Sequence, residues 1–387
     1  MDAPMVVRCN LLQLAAPSPS VEIAPIHMKS RSPAARYPSE SGAHSARYHN
    51  AATNILCRQH RFRCCSNRYP HGGMLVMQTH NRGCRKTVNK IIIIGCGDIG
   101  TRVAALWQAR GAGVTALARS LSGAERLRAS GIEPLLGDLD KPETLTHIAA
   151  YSDLLYYFAP PPQVGESDPR MRAFLDVLSN RPRPRRVVYI STTGVYGDSR
   201  GAWVNEETPV NPQTARARRR LDAENVLRDW GRRQDAAIVI LRVPGIYGAG
   251  RLPVEAIRSR RPVVNEGECG FSNRIHADDL ARVCVAAAEL GRADTIYNAS
   301  DGSPGTMTEY FNRVADALGL PRPPMVSRAE AARFLSPEML SYLDESRRID
   351  NRRIREELGI ELLYPSLQAG LEACARQGSI AYRRSSG

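Results

Sequence analysis

Three glycines, Gly95, Gly97 and Gly100, follow four consecutive isoleucines in Lys90-Ile-Ile-Ile-Ile-Gly-Cys-Gly-Asp-Ile-Gly100. A β-branched apolar run of this kind suits a strand buried on both faces. Gly95 allows the tight turn out of that strand. Gly97 presents no side chain to a diphosphate approaching the backbone. Gly100 lets the next helix pack closely on the strand. The N–H groups of Asp98, Ile99 and Gly100, at the positive end of that helix, then face the phosphates. The chemistry this spacing implies is capture of a dinucleotide. The alternative is a tight strand-to-helix turn that binds nothing.

In this motif NAD binding is marked by an Asp or Glu about twenty residues after the first glycine, which holds the ribose 2′-hydroxyl. No acid occurs between Thr101 and Ala124. The second strand signal ends instead at Arg119-Ser120, where the adenosine ribose belongs. A guanidinium there favours a 2′-phosphate through charge-assisted bonds. NADP is therefore expected over NAD, with Arg119 and Ser120 among the cofactor residues. The plain alternative for Arg119 is an exposed residue at the sheet edge. Gly137-Asp138-Leu139 follows the third strand signal, with Asp138 and Leu139 placed to meet adenine. An Asp that caps the next helix explains the same residue.

These residues need a scaffold, and from residue 89 strand and helix signals alternate. Strands are predicted at 90–94, 114–118, 132–136, 154–158, 186–191 and 237–242. Helices fall between them at 98–110, 121–130, 169–178 and 214–230, the first with Ile99, Val103 and Leu106 at helical spacing. The pattern predicts an α/β fold, a doubly wound and mostly parallel sheet with right-handed crossovers and a ligand crevice at the strands' carboxyl ends. After residue 243 Pro and Gly become frequent and elements shorten, with helical stretches near 277–290, 307–318, 328–343 and 350–357. The division expected is a disordered basic extension over 1–88, a Rossmann-type domain over 89–250 and a smaller mixed lobe over 251–387.

Charge separates the first part from the rest. Residues 1–90 hold 13 of the 53 Lys/Arg and 3 of the 39 Asp/Glu. Most of the net +14 therefore belongs to a segment rich in Ser, Pro, Arg and His. It shows no sustained period, and such a segment cannot bury enough apolar area to offset ordering entropy. Three readings of it stand side by side: a translated upstream region with the start at Met74 or Met77, an organellar transit peptide, and a nucleic-acid-binding arm. Cys57, Cys64 and Cys65 near His60 and His71 fit no ordinary paired zinc spacing, so no metal is expected. Cys96, Cys269, Cys284 and Cys374 are widely scattered, which suggests a reducing compartment. No run reaches the eighteen or so apolar residues of a membrane span. The expected location is cytoplasmic, with organellar import left open by the basic N-terminus.

The ordered motifs Gly95-x-Gly97-x-x-Gly100, Gly137-Asp-Leu139, Ser191-Thr-Thr-Gly-Val-Tyr-Gly197, Leu241-Arg-Val-Pro-Gly-Ile-Tyr-Gly248 and Ile275-His-Ala-Asp-Asp-Leu-Ala281 resemble the extended short-chain dehydrogenase/reductase family, of the nucleotide-sugar epimerase and dehydratase type. The likeness spans about 89–370. It implies that Thr192 is the active-site Ser/Thr that hydrogen-bonds the substrate oxygen. It implies that Phe158-Ala159-Pro160 runs under the cofactor and that Pro244 lies beside the nicotinamide carboxamide. His276–Asp279 matches the start of a substrate-lobe helix, or simply an Asp cap. A homodimer through the long helices beside the fifth strand is implied by analogy alone.

One departure from the family pattern matters. The family uses a Tyr and a Lys four residues apart on the helix after strand five. Aligning Leu221–Glu224 on that helix's usual ending puts Arg216 at the Tyr position and Arg220 at the Lys position. Arg220 can still bind ribose hydroxyls. Arg216 stays protonated at any working pH and cannot act as acid or base. Tyr196, four residues beyond Thr192, is the candidate replacement proton donor, although a Tyr here more often packs below the substrate. Asp198, Glu206 and Glu207 are weaker candidates. The Arg216–Arg220 cluster, joined by Arg274, could form an anion site for a phosphorylated or carboxylated ligand, or the cluster could be a solvated helix face. Three functions follow: an NADP-dependent oxidoreductase or epimerase-like enzyme with a changed proton relay, a cofactor-binding sensor or scaffold without turnover, and, least favoured, a nucleic-acid-associated protein.

Overall fold

A computed structural model describes residues 90–385, except 147 and 149–152. The expectations for residues 1–88 lie outside the described residues. Seven strands form one sheet: β1 (Lys90–Ile94), β2 (Gly113–Ala118), β3 (Glu133–Leu136), β4 (Leu154–Tyr157), β5 (Arg186–Thr192), β6 (Ala237–Val243) and β7 (Thr295–Asn298). Their order is β7-β6-β5-β4-β1-β2-β3, and every pairing is parallel. The chain runs outward from β1 to β3, then returns to β4 on the other side of β1. That reversal leaves a crevice beyond the carboxyl ends of β1 and β4. The doubly wound α/β fold read from the sequence is the fold observed.

The isoleucine run shows why β1 is central. Ile91 and Ile93 face one layer, with Val103 and Trp107 of α1 (Asp98–Gln108). Ile92 and Ile94 face the other layer. There they join Phe174 and Leu175 of α3 (Pro169–Ser179) and Leu227 and Trp230 of α4 (Ala215–Gln234). All four are 6% exposed or less, and each contributes roughly 1.5–3 kcal/mol of burial. Helix α2 (Leu121–Ala129) joins β2 to β3 and is capped by Ser120, whose Oγ accepts from Gly123 N. The one polar group facing the first layer from β4 is matched: Tyr156 Oη accepts from Trp107 Nε1 at 2.8 Å.

Two parts of the sheet layer come from beyond residue 251. Helix α5 (Ala277–Leu290) packs in the same layer as α1, and β7 closes the sheet edge beside β6. At four residues inside a Gly- and Pro-rich region, β7 carries too short a pattern to stand out. The remaining elements include α6 (Met307–Ala317), α7 (Pro337–Leu343) and α8 (Leu367–Ser385). Tyr247, Tyr310, Phe311, Val314 and Leu371 form a core shared by α6 and α8. Short strands tie this lobe together: Arg274–His276 runs parallel to Gly245–Tyr247, and Phe271–Ser272 antiparallel to Gly305–Thr306. Among the described residues no helix is long and apolar enough to cross a membrane.

Asp301 follows β7 and is 6% exposed. Burial pushes its carboxyl up to about 7, against the pull of the Ser303 N–H and the nearby Arg274. The folded chain therefore holds a proton there that the unfolded chain has lost above about pH 4. The stability this group contributes falls as pH rises from about 4 to about 7 and then levels off. The isosteric Asp301→Asn substitution is expected to raise Tm at pH 8 and leave it unchanged near pH 3.5. Equal shifts at both pH values would refute this account.

Candidate functional site

The crevice is floored by the glycine turn. Gly95 has φ +88°, and a Cβ there would lie 2.4 Å from Ala159 N. The two chains meet because Ala159 N and Phe158 N both donate to Ile94 O. Gly95 is thus the residue that lets the loops after β1 and β4 touch, and Ala159 is its partner. Gly97 differs. Its φ is −87°, and a Cβ on it would meet nothing within 4 Å. No side chain caps α1, so its first N–H groups open onto that space. A Cβ on Gly100 would sit 3.1 Å from Cys96 Sγ and 3.3 Å from Ile93 Cγ2, so a side chain there would have to push those neighbours back by a few tenths of an ångström. The thiol of Cys96 is pushed up to about 11 by burial, so it stays protonated at neutral pH. A cradle with room over Gly97 at a helix N-terminus fits a diphosphate on geometric and electrostatic grounds.

Two of the charges around the turn, Arg102 and Arg251, are ones that motif reading missed. Asp98 Oδ1 pairs with Arg102 Nε at 2.9 Å, and its Oδ2 with Arg251 Nη1 at 3.3 Å. Arg102 also pairs with Asp278 at the start of α5. Arg251 reaches the turn from the segment after Gly248, where nothing in the local sequence marks it. Arg119 and Ser120 are exposed at the end of β2. Arg119 lies close enough to Asp140 to help hold that carboxyl below its usual range, behind the stronger effect of Arg170. Arg170 grips Asp140 with two bonds of 2.6 Å. The cap reading of Asp138 is wrong: the turn Pro142–Leu145 has no side-chain cap, and Asp138 Oδ1 accepts from Asp140 N. Leu139 packs at the edge of the second core.

Thr192 ends β5. Its Oγ1 accepts from Gly194 N at 3.1 Å, capping the turn Thr193–Tyr196. That bond fixes the oxygen and leaves its own proton to donate. Behind it stands a buried ion pair. Arg242 of β6 and Glu224 of α4 are 3% and 1% exposed and bond through Nη2–Oε2 at 2.7 Å and Nε–Oε1 at 3.2 Å. Ser191 Oγ donates to the same carboxylate. Pro244 follows β6 and is half-buried.

Tyr196 does not stand ready to give a proton. It is 2% exposed, its hydroxyl donates to Asn298 Oδ1 at 2.8 Å, and the Arg242 guanidinium lies over its ring. Burial pushes its phenol above the usual range. The three acids considered beside it are also engaged. Asp198 Oδ1 accepts from Ser346 N and Arg200 N, Glu206 accepts from Asn298 N, and Glu207 pairs with Arg353. Neither Asp278 nor Asp279 caps α5. His276 does, with Nδ1 accepting from Asp278 N, while Asp279 accepts from Leu363 N and Tyr364 N.

The three arginines expected to share an anion have separate partners. Arg220 Nη1 donates to Ile190 O at 3.0 Å, flat against the end of β5. Arg216 Nη1 donates to Ser341 Oγ at 2.7 Å, and its guanidinium lies 3.7 Å over the Tyr342 ring. Arg216 therefore fastens α7 to the start of α4. Arg274 lies instead over Tyr310, 4.1 Å from the ring. Among the described residues no contact joins Arg274 to the other two.

Comparison with known proteins fits this geometry. Residues 91–300 match the model of the NAD dependent epimerase/dehydratase family. Protein YeeZ of Escherichia coli K12 is 29% identical over 292 residues, covering 72% of this chain and 97% of YeeZ. A Stigmatella aurantiaca protein, 4-hydroxy-2-methyl-3-oxo-4-farnesyl-3,4-dihydroquinoline-1-oxide ketoreductase, is 27% identical over 243 residues, 58% of this chain and 72% of that one. Among solved structures, a functionally unknown conserved protein from Silicibacter pomeroyi DSS superposes with a TM-score of 0.64 at 31% identity. It covers 75% of this chain and 99% of its own.

Proposed function

This chain belongs to the NAD dependent epimerase/dehydratase family, and from that premise we propose that it is a nicotinamide-dependent oxidoreductase acting on a carbonyl or hydroxyl of a small molecule. The observation that carries the reading is the open space over Gly97 at the bare N-terminus of α1. When bound there, a nicotinamide dinucleotide supplies hydride transfer. The N–H groups of Asp98, Ile99 and Gly100 hold its diphosphate, and Arg251 and Arg102 offset the charge that Asp98 brings beside it. Asp138 and Leu139 bound the adenine, and Ala159, Arg220 and Pro244 bound the nicotinamide half. Residues 89–250 supply most of this site and 251–387 the substrate side. A relative whose printed name is a ketoreductase supports carbonyl chemistry.

Thr192 donates to the substrate oxygen and steadies the charge that develops on it. Removing one such donor typically lowers turnover by about 10²–10³. Thr192→Val keeps the β-branched shape, so a loss of that size in kcat with unchanged cofactor affinity is expected. An unchanged kcat would remove Thr192 from the mechanism. Arg119 holds a 2′-phosphate and sets the preference for NADP. A hydrogen bond to a charged group is worth about 1.5–3 kcal/mol, so Arg119→Asp should reverse the preference by about tenfold or more. Equal NADP affinity in the variant would reassign the residue to the sheet edge.

The deciding assay uses the full chain. Thermal shift with NADPH and NADH measures binding. At 100-fold excess over Kd the expected stabilisation is about 2.7 kcal/mol. Absorbance at the reduced nicotinamide band then follows turnover over a panel of ketones, aldehydes and nucleotide sugars. Oxidation of NADPH by a member of the panel is the expected result. Tight binding with no turnover across the panel would favour a sensor or scaffold, consistent with Arg216 and Arg220 standing where the family has its Tyr and Lys. No shift with either coenzyme would overturn the reading.

A further inference from the structure

A second polar cavity lies away from the glycine turn. It measures about 230 Å³ and is bounded by Arg274, Asp301, Gly305, Glu309, Arg313 and Ser366, among others. Two of its walls carry a buried guanidinium and a buried carboxyl group that do not pair. Asp301 is 6% exposed. Its Oδ1 accepts from Ser303 N at 2.9 Å, and its Oδ2 has no hydrogen-bond partner. Arg274 is also 6% exposed, and among the described residues none of its nitrogens reaches a carboxylate oxygen within 4.0 Å. Its nearest partners are the Tyr310 ring and Met307 Sδ.

Isolated buried charges are expensive, and an Asp and an Arg lining one cavity would ordinarily close on each other. Here each is held back. The turn through Ser303 N fixes Asp301, and stacking on Tyr310 fixes Arg274. The other charged pair on the rim satisfies itself: Glu309 Oε1 pairs with Arg313 at 2.6 Å, and Glu309 Oε2 accepts from Thr306 N. Gly305 makes room for that carboxylate, since a Cβ there would fall 2.4 Å from Oε2. What remains is one guanidinium and one carboxyl group that line the same cavity without forming an ion pair.

We propose that this cavity binds a small carboxylic acid carrying a hydroxyl or amino group beside the carboxylate. The acid's carboxylate accepts from Arg274, and the neighbouring O–H or N–H donates to the Asp301 carboxylate, which lines the same cavity. The volume falls short of the roughly 300–1,000 Å³ of pockets for larger ligands, which excludes a dinucleotide. None of the residues lining it belongs to the glycine cradle, and the proposal stands or falls independently of hydride transfer.

Isothermal titration of the full chain with L-lactate, L-malate, glycine and L-serine tests it, with acetate and ethanolamine as probes that each carry only half of the recognised pair. At least one bifunctional acid should bind tenfold or more tighter than both half-probes. Hydroxy acids and amino acids in the panel identify which source the site prefers. Arg274→Met and Asp301→Asn should each weaken that binding at least tenfold. Should Arg274→Met fail to fold, Arg274→Lys keeps the charge and the stacking stem but loses the planar fork, and it too should bind more weakly. Affinity no better than that of acetate and ethanolamine would overturn the site, leaving ordered water as the cavity's content. So would binding that survives in the folded Arg274 and Asp301 variants.

Discussion

Gly97→Val is expected to bind NADP at least about 100-fold more weakly than the parent chain while melting within a few degrees of it. The two halves of that expectation come from one geometric fact. A Cβ at position 97 meets nothing within 4 Å, and the backbone there is extended with φ −87°. The fold therefore has no objection to a side chain, beyond the loss of a good N-cap residue, about 1 kcal/mol. The diphosphate does object, because the isopropyl group fills the space above the α1 N–H groups. Losing two charge-assisted bonds, each about 1.5–3 kcal/mol, accounts for 100-fold or more. Gly95→Val behaves differently, since φ +88° and a 2.4 Å approach to Ala159 N make the substitution a folding defect. Calorimetric titration beside a melting curve separates the two. Undiminished NADP affinity in a folded Gly97→Val protein would mean that the crevice holds no diphosphate.

Arg242→Met should cost about 3–5 kcal/mol of stability. Met replaces the apolar stem but leaves the Glu224 carboxylate buried with Ser191 as its remaining partner, and breaking a buried pair from one side typically costs that much. The reciprocal pair of changes, Arg242→Met with Glu224→Leu, should recover much of the loss, because two apolar residues leave no stranded charge. Urea unfolding of the two single variants and the double variant measures the coupling. Additive losses would show that the pair acts as two separate contacts. The same ion pair braces Ser191, the neighbour of Thr192. A folded Arg242→Met chain should therefore also lose turnover without losing NADP affinity.

Much of this site was legible in one dimension because its signals are local. The isoleucine run and the three glycines lie within eleven residues, so sterics alone predict strand, turn and helix. Arg119 follows β2 directly, and its exposure needed no tertiary information. The six strands predicted from the pattern are all present, with ends shifted by a residue or so. Tyr196 was misjudged for the opposite reason. Its hydroxyl is taken by Asn298, 102 residues away, and nothing near Tyr196 announces that partner. Asp278 and Asp279 looked like caps because position favours them, yet Asp279 is held by the backbone at 363 and 364.

The basic helix shows the same limit. Arg216 and Arg220 share a face by their spacing of four, and sequence reasoning could go no further than an anion site or a solvated face. Folding brings α7 onto Arg216 and the end of β5 onto Arg220, which neither reading contained. Arg274, grouped with them by charge, lines a different cavity together with Asp301.

The sequence by itself determined the parallel sheet, the crevice at its reversal and the glycine cradle. Those follow from hydrophobic periodicity and from backbone freedom, which act between near neighbours. Only the tertiary structure decided which charged and hydroxylic side chains are free and which are spent. That depends on partners scores of residues apart, brought together by the packing of layers that no local pattern encodes.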